Sequence, residues 1–421
     1  MKEICPKTCI DASVRIPGSK SVIHRTLIAA ALAEGESRLS GFLGCEDTVY
    51  TAEALRALGV RISVSGENVI VSGTGGTFPS GKGIKQLFLG NSGTTFRLLL
   101  STVALTHGHY ILTGESRMLE RPIRELVYAL KELGVDATCV GMDGFPPVFV
   151  RAKGVRGGKV EIKGETSSQY VSSLLLAAPG MDNGLEIGVN GNLVSRGYVD
   201  LTLDVMSRFG VSVLRDGYEH FKILPDQKYK ARQCTIEGDV SSASYFWAAA
   251  AVTGGKVITD NIYPHETRQG DIGFLEILSQ MGCKVEKERD RVMVTGGPLS
   301  GLEADMSAMP DMVPTLAAIS LFAHGKTSIR NVSHLRFKES DRLRGMAEEL
   351  NRLGGRVKEL PDGLIIQGNE TLTGGVIDPR NDHRIAMSLA VVGLRVPGVR
   401  IDEDRCVKKS FPHFWDLWEC L

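Results

Sequence analysis

Glycine recurs at almost constant spacing along this chain, at Gly35, Gly108, Gly180, Gly254, Gly325 and Gly398, with intervals of 73, 72, 74, 71 and 73 residues. Each closes an apolar run: TLIAAALAEG, LLLSTVALTHG, SSLLLAAPG, YFWAAAAVTGG, TLAAISLFAHG and MSLAVVGLRVPG. The runs are long enough for helices and apolar around most of their circumference, so they are expected to be buried, each followed by a left-handed glycine cap. Between them lies a second series, ALRALG ending at Gly59, ALKELG at Gly134, VMSRFG at Gly210, ILSQMG at Gly282 and ELNRLG at Gly354, which reads as amphipathic helices. Such a repeat separates architecture from chemistry: what recurs in every copy serves the fold, and what occurs in one copy is a candidate for function.

Each copy reads as strand, buried helix, strand, amphipathic helix, then a hairpin. The hairpin is clear in VRISV-GENV-IVSG and in KVEKERDRVMVTG, where apolar and polar residues alternate around polar turns. The sixth copy is incomplete. After Gly398 come one strand, VRID, and the amphipathic stretch FPHFWDLWECL. The N-terminal EICPKTCIDASVRIPG has strand character and no other use, so it is expected to return and complete the C-terminal half. The fold class is therefore α/β, with six strand-helix-strand-helix-strand-strand units. A chain of 421 residues exceeds the roughly 250–300 at which single cores stop growing, so three units per domain is the simple partition. The polar stretch PDQKYKARQ places the main crossover, giving one domain from 1–17 and 232–421 and another from 18–231. Two crossings suggest a hinge and a cleft that closes on a ligand.

Lys plus Arg and Asp plus Glu both total 49, so no field of one sign covers the molecule and nucleic acid is disfavoured as a partner. No charged-then-apolar segment opens the chain and no apolar run reaches roughly 18 residues, so the expectation is a cytoplasmic protein that does not span a membrane. Eight cysteines form no CxxC pair and are scattered along the chain, which reads as free thiols rather than a metal site or disulfide frame.

Helix N-termini are where the copies differ, and unpaired N–H groups with the helix dipole make these ends natural anion sites. The six buried helices open with PGSKS, GNSGTTFR, TSSQY, DVSSASY, MPDMVP and RNDHR. Serine, asparagine or aspartate there is ordinary capping. Lys20, Arg25, Arg97 and Arg384 are not explained that way, because a cation at a helix N-terminus opposes the dipole unless an anion is bound. The amphipathic helices open with RMLERP (Arg121), VSRGY (Ser195, Tyr198) and HLRFKESDR (Lys338, Glu339, Arg342). Arg121, Ser195 and Arg342 stand 13, 15 and 12 residues before their marker glycines, so they hold similar places in three units. With Lys409, these residues make a ring of cations that calls for a ligand carrying several phosphate or carboxylate charges. Asp311 and Glu339 interrupt the ring. Carboxylates facing an anion weaken binding, so they point to proton transfer.

PGSKS, GNSGTT with Arg97, ERP, SSQ, KESDR and NDHR, in that order along nearly the whole chain, resemble the 5-enolpyruvylshikimate-3-phosphate synthase family. The resemblance implies a two-domain inverse α/β barrel with the active site in the interdomain cleft. It implies transfer of the enolpyruvyl group of phosphoenolpyruvate to the 5-hydroxyl of shikimate 3-phosphate in the shikimate pathway, without metal or organic cofactor, by a monomer that is the target of the herbicide glyphosate. Carried over by motif, shikimate 3-phosphate is held by Lys20, Ser21, Arg25, Ser167, Ser168, Gln169, Ser195, Tyr198, Asp311, His334 and Lys338. Phosphoenolpyruvate is held by Lys20, Asn91, Gly93, Arg121, Gln169, Arg342, Arg384 and Lys409. Asp311 takes the hydroxyl proton, and Glu339 with Lys20 protonates the methylene carbon. His334 stands where some members carry asparagine. His383 is read as structural, because Arg384 already explains its motif. A sister enzyme acting on UDP-N-acetylglucosamine resembles this pattern too, but carries a Lys-Asn pair near the N-terminus and a reactive cysteine before its Arg-Pro; here the words are Lys20-Ser21 and RMLERP. A non-catalytic sugar-phosphate-binding protein would keep the cations but have no use for the two acids.

Overall fold

Glycine-marked apolar runs do form buried helices, seen in a computed structural model that describes residues 1–79, 83–368 and 371–421. The chain divides into two compact units, 18–236 and 1–17 with 237–421, each with its own apolar core. The second boundary falls after Ile236 rather than at 231/232, because Gln233–Thr235 pairs in parallel with Glu36–Ser40 and Ile236 is buried in the same core.

Unit 18–236 contains helices α1 (Lys20–Leu32), α2 (Glu46–Ala57), α3 (Gly93–Ala104), α4 (Ser116–Leu119), α5 (Arg124–Glu132), α6 (Ser168–Ala177) and α7 (Gly197–Arg208). Helices α1, α3 and α6 pack on one another inside, and among the described residues three four-stranded sheets lie outside. In two of these sheets a parallel pair brackets a buried helix and a hairpin supplies the remaining antiparallel strands, as with Ile84–Phe88 beside His107–Thr113, then Val148–Lys153 and Asp136–Cys139. The arrangement is an inverse α/β barrel, with helices where a barrel usually has strands.

Unit 1–17 with 237–421 repeats the plan with α8 (Val240–Thr253), α9 (Phe274–Met281), α10 (Val313–Ser320), α11 (Arg342–Arg352), α12 (His383–Gly393) and α13 (Phe414–Glu419). All of α8 is buried, and Trp247 in its middle satisfies its indole N–H on Thr259 Oγ1 at 2.8 Å. Burying one such large apolar side chain stabilises the fold by about 1.5–3 kcal/mol. Helices α8, α10 and α12 are in mutual contact, and the Ser244, Thr315 and Ser388 hydroxyls link them at 3.3 Å each. The sixth copy is finished by the N-terminus: Lys2–Glu3 pairs antiparallel with Arg400–Ile401, where a hairpin strand would otherwise lie.

The opening strands of the first and fourth copies are exchanged. Asp11–Arg15 precedes α1 yet pairs with Lys256–Asp260, which follows α8. Gln233–Thr235 precedes α8 yet pairs with Glu36–Ser40, which follows α1.

The marker glycines act differently from expectation. Of the six glycines that close the apolar runs, only Gly254 is itself a left-handed helix cap (φ 69°). Gly35, Gly325 and Gly398 also have positive φ but lie beyond caps at Ala33, Leu321 and Leu394, where they turn the chain toward the next strand. Gly108 sits inside a strand. Gly180 ends a short tight turn, because Pro179 carries α6 into a 3-10 segment. Among the described residues no helix is long and apolar enough to cross a membrane.

Candidate active site

In unit 18–236 the helix starts gather four buried cations. Lys20, the first residue of α1, places Nζ 3.0 Å from Asp47 Oδ2 in the first turn of α2. Arg25, one turn into α1, donates from Nε to Thr202 Oγ1 (2.7 Å), from Nη1 to the Ser21 carbonyl (2.8 Å) and from Nη2 to the Tyr198 carbonyl (3.2 Å). Its guanidinium also lies over the Tyr198 ring. Burial pulls the Arg25 pKa down to about 10, with Tyr198 opposing. Arg97 in α3 donates to Gln169 Oε1 (3.0 Å), the Pro122 carbonyl (3.2 Å) and Ser167 Oγ (3.5 Å). Gln169 returns its amide N–H to Thr94 Oγ1 (3.0 Å), and Ser167 caps α6 by accepting from the Gln169 backbone N–H. Arg25 and Arg97 are therefore oriented by carbonyls, hydroxyls and an amide, which fix geometry without cancelling charge.

Arg121 follows α4 and lies only 2% exposed. Its Nη1 donates to the Asn91 carbonyl at 3.1 Å and approaches Asn91 Oδ1 at 3.4 Å. Gly93, the first residue of α3, abuts that guanidinium: a β-carbon there would lie 2.5 Å from Arg121 Cζ. Ser168 is buried in the first turn of α6. Ser195 is buried just before α7 in a left-handed conformation (φ 53°), a strain that non-glycine residues carry mostly where surroundings or function require it.

In the other unit the cations meet acids. Arg342 opens α11, and its fork is surrounded by carboxylates: Nε to Asp382 Oδ2 (2.8 Å), Nη1 to Asp311 Oδ1 (3.0 Å) and Nη2 to Glu339 Oε2 (2.6 Å). Arg384, in the first turn of α12, donates to Asp311 Oδ2 at 2.7 Å and reaches Ser241 Oγ and Tyr245 Oη at 3.4 Å. Each Asp311 oxygen thus carries an arginine. Burial alone would raise the Asp311 pKa, but Arg384, Lys338 and Arg342 outweigh it and hold the carboxyl well below the usual range. Asp311 does not cap α10: it lies in the 3-10 turn Pro310–Met312 ahead of it. Burial, then Lys338, pulls the His334 pKa down to about 3, so its ring is neutral. Lys409 is buried in the turn Asp404–Lys409. His383 is buried as the first residue of α12.

The motif residues therefore fall into two groups, one in each unit. The sequence reading took the ring as cations broken by two acids, and it missed the others. Asp47 partners Lys20, and Asp382 both caps α12 through the Arg384 backbone N–H and binds Arg342. Their only sequence signal was an acid at a helix start, which is common everywhere.

A six-repeat α/β chain whose helix starts collect buried arginines and poised carboxylates belongs to the class of enzymes that act on small, multiply anionic substrates. The comparisons narrow this. A family model described as EPSP synthase (3-phosphoshikimate 1-carboxyvinyltransferase) matches residues 4–418. A protein of that second name from Methanoculleus marisnigri is 44% identical over 97% of this chain and 96% of its own length. Another from Syntrophobacter fumaroxidans is 44% identical over 100% and 99%. The solved structure of EPSP synthase from Acinetobacter baumannii superposes with a TM-score of 0.82 at 30% identity, covering 99% of this chain and 97% of that one. The chain belongs to the EPSP synthase family.

Proposed function

We propose that this enzyme joins phosphoenolpyruvate to the 5-hydroxyl of shikimate 3-phosphate and releases phosphate, with Asp311 as the base and Glu339, aided by Lys20, as the acid that protonates carbon. Ser21, Arg25, Ser167, Ser168, Gln169, Ser195, Tyr198, His334 and Lys338 hold the sugar phosphate. Arg121, Arg342, Arg384 and Lys409, with Lys20, Asn91, Gly93 and Gln169, hold phosphoenolpyruvate. Both groups serve one reaction.

The observation that carries this reading is the pair of arginines on the two Asp311 oxygens. In that state Asp311 is ionised but a weak base. Phosphate and carboxylate groups of an arriving substrate compete for Arg342 and Arg384, and each arginine drawn away raises the proton affinity of Asp311. The base thus strengthens as the substrate seats. Asp311 takes the hydroxyl proton as the oxygen bonds to carbon 2 of phosphoenolpyruvate, while Glu339 gives a proton to carbon 3. In the second half that carbon returns a proton, the bond from carbon 2 to the phosphate oxygen breaks, and phosphate leaves with the proton from Asp311. Arginine forks match the planar carboxylate and the phosphate that must be held through both steps.

The test is phosphate release from phosphoenolpyruvate with purified protein. Release should require shikimate 3-phosphate and should not occur with UDP-N-acetylglucosamine; the opposite preference would overturn the proposal. The reading includes a monomer working in the cytoplasm, supported by eight free thiols that suit a reducing compartment and checked by sedimentation velocity and cell fractionation.

A further inference from the structure

The segment around Thr267–Asp271 clamps the start of α8. Gln269 accepts the Val240 N–H on Oε1 (3.1 Å) and donates from Nε2 to the Gly238 carbonyl (2.8 Å). Thr267 donates to Glu237 (2.9 Å). Two residues beyond Gln269, the Asp271 carboxylate accepts a hydrogen bond from the Ser241 hydroxyl. Asp271 is only 5% exposed, and no motif in the sequence pointed to it.

A serine hydroxyl has one proton and two lone pairs. Ser241 spends its proton on Asp271, so its oxygen can only accept on the other side, where Arg384 Nη2 lies 3.4 Å away. The same nitrogen donates to Asp311 Oδ2 at 2.7 Å. The result is a relay, Asp271 to Ser241 to Arg384 to Asp311, built from the starts of α8 and α12 and the two turns that lead into α9 and α10.

We propose that Asp271 is a positioning residue for the transfer reaction: by fixing the Ser241 hydroxyl it holds the Arg384 guanidinium where that group meets the anionic substrate. A carboxylate buried beside other acids is otherwise costly, which argues for such a role. Burial, with Asp311 and then Asp239 adding and Arg384 and Ser241 opposing, pushes its pKa up to about 7. The inference rests on the reading that Arg384 binds phosphoenolpyruvate.

Asp271→Ala should raise the KM for phosphoenolpyruvate about tenfold, with kcat and the KM for shikimate 3-phosphate changed by less than about threefold. Ser241→Ala should reproduce this, and the double variant should be no worse than the worse single one, because both act through one relay. Asp271→Asn, whose amide oxygen still accepts the hydroxyl, should recover most of the affinity. An unchanged KM for phosphoenolpyruvate in folded Asp271→Ala, or additive losses in the double variant, would overturn the inference. If Asp271→Ala does not fold, Ser241→Ala and Asp271→Asn carry the test alone. A crystal structure of Asp271→Ala or Ser241→Ala separates this inference from the functional reading: Arg384 should leave its place beside residue 241, whereas in Asp271→Asn it should stay, and an unmoved Arg384 in both alanine variants refutes the relay whatever the wild-type substrate is.

Discussion

Replacing Gly93 with alanine tests the proposed role of Arg121 in holding phosphoenolpyruvate. The backbone permits the change, since Gly93 begins α3 without positive φ. The obstacle is a side chain: the new methyl would lie 2.5 Å from Arg121 Cζ and 2.8 Å from Nη1, where 3.4–4 Å is ordinary contact. The guanidinium must therefore retreat by about 1 Å. It cannot do so freely, being 2% exposed and bonded to Asn91 at 3.1 Å. On the proposed role of Arg121, moving it weakens a charge-assisted hydrogen bond to phosphoenolpyruvate of roughly 1.5–3 kcal/mol, which corresponds to a rise of about 10- to 150-fold in its KM. Glyphosate is longer and needs the same space along its length, so its inhibition constant should rise further. Stability should move little, because alanine gains up to about 1 kcal/mol over glycine in a helix and this offsets part of the repacking. Steady-state kinetics, glyphosate inhibition and thermal unfolding of one variant decide the matter. A large fall in melting temperature with an unchanged ratio of inhibition constant to KM would show that Gly93 serves backbone conformation, and the reasoning would fail.

Asp311→Asn and Glu339→Gln should each lower kcat by about 100-fold or more. Calorimetric binding should persist in both, and Asp311→Asn should bind anions no more weakly, because Arg342 and Arg384 lose a competing acceptor; collapse of binding with normal turnover per bound substrate would make the acids structural. His334 has a folded pKa of about 3 against an ordinary 6.5, so between these values the unfolded chain binds a proton that the folded one does not, and stability falls as pH drops through that window. His334→Asn removes this contribution and should narrow the gap between urea midpoints at neutral and mildly acid pH; an equal gap in variant and wild type would contradict the neutral ring.

The repeat was legible because its signal is periodic and long, and the words at the helix starts were legible because each occurs once. The hairpins at Arg61–Ser65 with Asn68–Ser72 and Lys284–Lys287 with Arg291–Thr295 follow the alternation of their residues. The return of Gln233–Thr235 to the first repeat was not legible: three residues with no apolar alternation carry no pattern, and only the pairing with Glu36–Ser40 defines the strand. The same holds for charge. Arg342 and Arg384 stood out because cations oppose the dipole at helix starts, whereas acids such as Asp47, Asp271 and Asp382 are common near helix starts and carry no signal apart from the partners the fold brings beside them.

The exchanged strands also set a timetable for synthesis. Unit 18–236 is continuous, and its closing strand Gln233–Thr235 leaves the ribosome before most of the other unit exists. Asp11–Arg15 is made almost first, yet its partner Lys256–Asp260 comes some 245 residues later. At about 5–20 residues per second that is a wait of roughly 12–50 s, during which a strand from the N-terminus has no sheet to join. Removing the first 17 residues would leave the first repeat's helices intact and instead strip edge strands from the unit that carries Asp311 and Arg384.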